Sequence, residues 1–330
     1  MLQIHWPQKT SGIVEISGSK NAALPLIACG LFFKNFTLHN VPRIGDVLTF
    51  LEIIESLGVD VHFENNTLKM NTENMSLTNL NRPLIKKIRV GIFLFPALLK
   101  RFGELEIPYP GGCNIGKRPI TEHLRAFEIF GYNGENSEEN IRFSGKEGEN
   151  DVILSAGFAV TATENAIMMA AFQPRKTTIH LAAIEPHVMN LIDVLKNIGV
   201  KIAVSYDHTI IIEGISEIPE NTEATVISDY IESGTFVILG ALSGNPSITV
   251  RNARIQDLTL FLEKCQEAWV KMDIDYEKDE IVVYNSLENL RNINIQTNIF
   301  PGFPTDLQSP FALLLTQAEG TSRIHEVLFE

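Results

Sequence analysis

The chain has 330 residues, 45% hydrophobic and 20% charged, enough for two domains with buried cores. Its 27 basic and 40 acidic residues leave a net charge of −13, which argues against nucleic acid or an anionic membrane as the main partner. Three widely spaced cysteines (Cys29, Cys113, Cys265), with no Cys-x-x-Cys and no ligand spacing among eight histidines, point to a reducing compartment and to no metal or iron–sulfur site. No stretch reaches the ~18 apolar residues of a membrane span, and Met1 to Lys20 lacks a signal-peptide layout. A soluble cytoplasmic protein is expected.

In chain order, a recurring unit appears. Each copy opens with an apolar, small-residue helix, continues through a β-branched strand and a short loop, and adds an amphipathic helix ending near glycine before a strand pair. The first copy uses Ala22 to Phe32, Thr37 to Asn40 and Val47 to Leu57, capped by Gly58. The second uses Val90 to Lys100, Leu105 to Ile107 and Thr121 to Phe130, capped by Gly131. The third uses Thr163 to Ala171, Thr177 to Leu181 and Val188 to Ile198, capped by Gly199. These caps recur roughly every 70 residues. A fourth copy runs from Gly234 to Leu242, through Ser247 to Val250 and Asp257 to Ala268, and closes on Trp269 in place of glycine. A fifth starts at Ser309 to Gln317 and reaches Glu330 before its second helix, so the expectation is a chain lacking its end. The helices suit burial inside sheets, giving an α/β (α+β) fold. Gly18 and Gly234 are the hinge candidates, dividing the chain into residues 20–227 and residues 1–19 plus 228–330.

The run Pro110-Gly111-Gly112-Cys113-Asn114-Ile115-Gly116-Lys117-Arg118-Pro119 carries the most chemistry. Glycines let backbone close around an oxyanion, the helix that follows favours negative charge at its start, and Lys117 and Arg118 add cations. A thiol beside those charges is a candidate acid or nucleophile. The spacing nearly spells a P-loop, but Arg118 stands where Ser or Thr would hold magnesium, and Ile107-Pro108-Tyr109-Pro110 is no buried strand. On position alone, Lys20 could be a solvated turn lysine, although a cation at a helix start implies an anion nearby. Arg89 could share a solvated face with Lys86 and Lys87. Asp306 could be a helix N-cap, His123 reads as structural, and Cys29 and Cys265 read as core.

Several separated motifs then combine: Ser17-Gly18-Ser19-Lys20-Asn21-Ala22-Ala23-Leu24-Pro25, the loop Pro110 to Pro119, Thr163-Glu164-Asn165, Ile231-Glu232-Ser233-Gly234-Thr235, and Pro301-Gly302-Phe303-Pro304-Thr305-Asp306-Leu307-Gln308. With them the chain, from Ile16 to Glu330, resembles the enolpyruvyl transferases, in particular the UDP-N-acetylglucosamine 1-carboxyvinyltransferases of peptidoglycan synthesis. The resemblance implies two domains of repeated βαβαββ units around inner helices. It implies transfer of the enolpyruvyl group of phosphoenolpyruvate to the 3′-hydroxyl of UDP-N-acetylglucosamine, by addition and then elimination with release of phosphate. No metal or organic cofactor is implied, and a monomer is the working expectation.

By the same resemblance, Cys113 is the proton donor, Asp306 the candidate base, and Lys20, Arg89 and Arg118 the cations around phosphoenolpyruvate. Asn21, His123 and Val327 fall among the contacts of the sugar nucleotide. Departures are also visible. Where the family usually has Lys-Val-Ser-Val-Gly against the diphosphate, this chain reads Gly157-Phe158-Ala159-Val160-Thr161. Thr121 replaces an Asp and Tyr230 an Arg, and the sequence stops before the family's C-terminal arginines. The sister shikimate 3-phosphate enzyme and a non-catalytic sugar-nucleotide-binding homologue remain as alternatives.

Overall fold

The computed structural model describes residues 10–109, 111, 120–137 and 139–328. The chain divides into two compact units, Gly18–Ile227 and Met1–Ser17 with Ser228–Glu330. In the larger unit the third repeat shows the building plan most plainly. Strand Val152–Ser155 leads through helix Val160–Ala171 into the parallel strand Lys176–His180, and helix Pro186–Asn197 then leads to the hairpin Lys201–Val204 and Ile210–Glu213. This is a βαβαββ unit. Helix Val160–Ala171 is buried from Ala162 to Ala171 because it has no charged face beyond Glu164, and its small side chains let neighbouring elements close in on all sides. Helix Lys20–Gly30 is built the same way, buried from Ala22 to Gly30. The second helix of each repeat is amphipathic; Gly45–Ser56 buries Val47, Phe50, Leu51, Ile53 and Ile54 and leaves Glu52 and Glu55 in water.

The first sheet closes in an unusual order. Strand Asn35–His39 pairs with the hairpin Asp60–Glu64 and Thr67–Asn71 on one side and, in parallel, with Asn221–Thr225 from the end of the unit on the other. That return brings Ile227 O within 2.8 Å of Ser19 N, so the last residues of the unit hold the start of its first helix. Gly18 is required just before it, since a Cβ there would meet Asn40 O at 1.8 Å.

The second repeat departs from the plan. Among the described residues its sheet has three strands, Glu104–Pro108, Asn140–Gly145 and Tyr132–Asn136. Residues Arg82–Ile85 form a helical turn, started by Pro83 and capped by the Asn81 side chain on Leu84 N at 3.2 Å. The helix expected over Val90 to Lys100 is also split, into a 3₁₀ turn Arg89–Phe93 and an α-helix Leu94–Phe102. Pro96 explains the break: it has no N–H for the α-helical bond to Ile92 O, and its ring crowds that carbonyl. Three rings, Phe95, Phe127 and Phe143, with centroids 5.1–5.7 Å apart, form the core beneath. Burying each contributes about 1.5–3 kcal/mol.

In the smaller unit, strand Thr10–Glu15 pairs in parallel with Gly244–Arg251, which continues antiparallel to Glu280–Tyr284 and then Met272–Asp275. Strands Asn294–Gln296 and Arg323–His325 are parallel and joined through helix Gln308–Leu315. Phe261, Phe303 and Phe311 form its aromatic core. The fourth repeat keeps the left-handed cap without glycine. Trp269 adopts φ 64°, and the Arg291 guanidinium lies 3.1 Å from its ring centroid.

One sequence expectation fails here. Gly234 is no hinge; it lies inside helix Tyr230–Ser243, and its missing Cβ leaves room for the Leu307 side chain, which a Cβ would meet at 2.6 Å. Cys29 and Cys265 are fully buried, as expected. Among the described residues no helix is long and apolar enough to cross a membrane, and no group of His, Cys, Asp and Glu could hold a metal ion.

Candidate active site

The larger unit carries Lys20, Asn21, Arg89 and His123. Lys20 is the first residue of its helix, with Asn21 beside it and no side-chain cap from Ser19. A cation at this end opposes the helix dipole. Asp46, at the start of helix Gly45–Ser56, offsets it with a carboxylate 3.4 Å from Lys20 Nζ. Both side chains are about half exposed, 45% and 53%, so water competes for each and the pair is weak and exchangeable.

Arg89 opens the 3₁₀ turn Arg89–Phe93. Lys86 and Lys87 are exposed whereas Arg89 is half-buried, so the three do not share one solvated face. Its guanidinium is close enough to His123 to disfavour a second positive charge there. His123 is buried, 3% exposed. Burial first, and the Arg89 charge second, push its imidazole down to about 3, so the ring is neutral. Both ring nitrogens are engaged: Nε2 lies 3.0 Å from Thr161 Oγ1 and Nδ1 2.9 Å from Asn165 Nδ2. The ring therefore offers no nitrogen to a sugar nucleotide.

Thr163-Glu164-Asn165 is wholly internal, with exposures of 0%, 1% and 0%. Thr163 Oγ1 donates to Ala159 O and accepts from Ala183 N, both at 3.0 Å, tying the helix start to the following loop. Glu164 is held as a neutral acid, its ionisation pushed far up by burial and then by the Glu185 carboxylate. Sequence reasoning missed Asp46, the buried acid Glu164 and the hub role of Asn165, because each acts across elements distant in sequence.

Cys113, Arg118 and Lys117 lie outside the described residues. The loop's first glycine is placed: Gly111 passes so close to Lys86 O that a Cβ would lie 1.8 Å from it, which fixes the loop's start against the basic segment before Arg89. The other two cysteines are poor nucleophiles; burial pushes the Cys29 thiol up to about 12 and the Cys265 thiol higher still.

The smaller unit carries Asp306 and Val327. Asp306 is exposed, in the 3₁₀ turn Thr305–Leu307 whose N-cap position is Pro304, so it is not the N-cap that its position suggested. Thr305 Oγ1 donates to Glu326 Oε2 at 2.7 Å, and Val327 N donates to Thr297 Oγ1 at 3.2 Å. These bonds draw the Asp306 turn and the Val327 segment together. Tyr230 is buried, 6% exposed, within the core of this unit.

Gly157 adopts φ 57° and lies against Glu122; a Cβ there would stand 3.7 Å from Glu122 Oε1. Phe158 follows with φ 59°, its ring edge-on to His208 at 5.2 Å. This segment, Gly157 to Thr161, carries no cation of its own, and the Glu122 carboxylate lies beside it.

Residues 4–330 match the family described as EPSP synthase (3-phosphoshikimate 1-carboxyvinyltransferase). The chain belongs to this family of enolpyruvyl transferases. Within the family it is 38% identical over its full length to UDP-N-acetylglucosamine 1-carboxyvinyltransferases from Campylobacter lari and Aliarcobacter butzleri, covering 78% of each. The same identity holds against the protein of that name from Prochlorococcus marinus, of which it covers 72%. Among solved structures, the enolpyruvyl transferase NikO from Streptomyces tendae superposes with TM-score 0.85 at 21% identity, over 98% of this chain and 76% of that one. EPSP synthase from Acinetobacter baumannii gives 0.65 at 14% identity, over 96% and 73%. At those identities the two structures speak for the fold alone.

Proposed function

We propose that this enolpyruvyl transferase moves the enolpyruvyl group of phosphoenolpyruvate to the 3′-hydroxyl of UDP-N-acetylglucosamine, releasing phosphate, a step of peptidoglycan synthesis. The observation that carries the reading is full-length similarity at 38% to relatives named for that reaction, with Lys20, Asn21, Arg89, Cys113, Arg118 and Asp306 all present. The chemistry asks for a proton on the methylene carbon, a base for the hydroxyl, and cations that stabilise phosphate and carboxylate as charge shifts. Cys113 is assigned the proton, Asp306 the base, and Lys20, Arg89 and Arg118 the anion. Lys20 suits that role because its partner Asp46 is exposed and readily displaced by a substrate anion.

Phosphate release should require phosphoenolpyruvate and UDP-N-acetylglucosamine together. Release with shikimate 3-phosphate instead would move the assignment to the sister reaction, and none with any acceptor would leave a binding protein. An epoxide phosphonate resembling phosphoenolpyruvate should alkylate Cys113 alone, since Cys29 and Cys265 are buried thiols. Mass spectrometry showing label spread over all three would defeat the assignment of Cys113.

A second reading concerns the acceptor. Gly157, Ala159 and the nearby Glu122 make the segment that meets a diphosphate in the family less favourable to anions here. An acceptor with less negative charge at that point fits this segment, and KM values for UDP-N-acetylglucosamine against uncharged analogues would reveal it.

A further inference from the structure

Pro96 removes the α-helical donor to Ile92 O, leaving that carbonyl to share the Leu94 N–H with Gly91 O. In a continuous helix the N–H of residue 96 would bond to Ile92 O, and proline has none. The deficit falls inside the core, where Ile92 is 2% exposed. Asn165, from a different repeat and fully buried, reaches across and places Nδ2 3.2 Å from Ile92 O. A carbonyl cannot face another acceptor, so this contact fixes which end of the Asn165 amide is nitrogen. The second hydrogen of that same Nδ2 points to His123 Nδ1 at 2.9 Å. Nδ1 is then an acceptor, the neutral imidazole carries its hydrogen on Nε2, and that hydrogen is donated to Thr161 Oγ1 at 3.0 Å. The Asn165 oxygen, buried, has no hydrogen-bond partner among the described residues; its nitrogen makes all the contacts.

Arg89 sits at the head of the turn whose third following residue is Ile92. Both ends of the Asn165 amide nitrogen thus act on its surroundings, one through the backbone of its turn and one through the imidazole beside it. We propose that Asn165 is a positioning residue for the phosphoenolpyruvate site: it supplies the donor that Pro96 removes and fixes the His123 tautomer, and so holds the turn that presents Arg89. The inference rests on the assignment of Arg89 to the phosphoenolpyruvate anion given above. A protonated or reversed imidazole would put an N–H, or a full charge, where Asn165 now donates, and the turn would have to move. Displacements of about 1 Å in a binding group are enough to change rates by ~100-fold.

The test uses the full chain and the variants Asn165→Asp and Thr161→Val. Long-range ¹H–¹⁵N correlation spectra of the imidazoles should show His123 with a bare Nδ1 and a hydrogen on Nε2 in the wild type. In Asn165→Asp the carboxylate can only accept, so the hydrogen should move to Nδ1 or the ring should gain a proton. The Kd and KM for phosphoenolpyruvate should rise about 10- to 100-fold while KM for UDP-N-acetylglucosamine stays within about twofold. Thr161→Val leaves the Asn165 contacts intact and should keep Nδ1 bare in the same spectra; a hydrogen on Nδ1 in this variant would show that Thr161, not Asn165, sets the tautomer and would overturn the inference. A wild type that binds phosphoenolpyruvate alongside an Asn165→Asp variant that binds it equally well, or an imidazole unchanged by the substitution, overturns the inference alone. A wild type that does not bind phosphoenolpyruvate overturns the functional reading and the inference together. Equal loss for both substrates marks Asn165 as a general structural residue and also overturns it.

Discussion

Two inner helices of the larger unit, Lys20–Gly30 and Val160–Ala171, share small, apolar composition and near-complete burial, yet they open in opposite ways. The first begins with a half-exposed cation held by one weak, solvated partner. The second turns Thr163, Glu164 and Asn165 inward, where each is tied to backbone, to a ring or to another acid's field. The same position in the repeat therefore serves once as a reactive edge and once as a brace. What decides is where the polar residues fall relative to the first buried turn: before Ala22 in one helix, after Ala162 in the other.

The comparison can be broken most severely at Lys20. Lys20→Ala should lower kcat/KM about 10²- to 10³-fold, the range for removing one group that stabilises developing charge, with little change in the urea midpoint. A drop below tenfold would place Lys20 outside the chemistry. The opposite pattern is expected at Glu164. Its ionisation is raised in the folded state, so above pH ~4.5 the unfolded chain loses a proton that the folded chain retains, and stability falls with rising pH up to the folded value. Glu164→Gln removes that dependence. Its stability relative to wild type should climb with pH between 5 and 7, by at most about 1.4 kcal/mol per unit. Urea titrations compared at each pH cancel the histidines common to both proteins; a flat difference would mean Glu164 is ionised in the fold.

Two smaller effects sharpen the picture. Glu122→Gln removes the carboxylate beside Gly157 and should lower KM for UDP-N-acetylglucosamine about two- to fivefold if a diphosphate passes there. No change at low ionic strength would separate that segment from the acceptor. Asp46→Asn frees Lys20 from an exposed partner and should shift stability by less than about 1 kcal/mol while tightening phosphoenolpyruvate by up to about threefold. A larger loss of stability would show the pair to be structural.

Much of this architecture was readable from residues. Gly58, Gly131 and Gly199 all adopt positive φ at the ends of the second helices, as their positions in the repeat required. The apolar helices are buried because no polar stripe interrupts them. The split at Pro96 was missed because apolar periodicity runs through it unbroken, and only the missing N–H divides the segment. Gly234 was misread since glycine within a helix can mark close packing as well as freedom, and Leu307 lies far away in sequence. For the site, Lys20, Arg89 and Asp306 stood out by motif. Their partners did not: Asp46 is brought to Lys20 by a strand and a turn, and Glu122 to Gly157 by the strands that lie between them. Thr163-Glu164-Asn165 was visible as a signature, but nothing in the letters shows that Asn165 completes a carbonyl 73 residues earlier.

Trp269 shows how a module can change its spelling and keep its shape. A large aromatic has taken over a bend usually left to the smallest residue, at a conformational cost of about 1–2 kcal/mol, and a guanidinium placed over its indole helps to offset it. A search for such modules that looks only for the small residue would pass over this one, whereas a search for the handedness of the bend would find it.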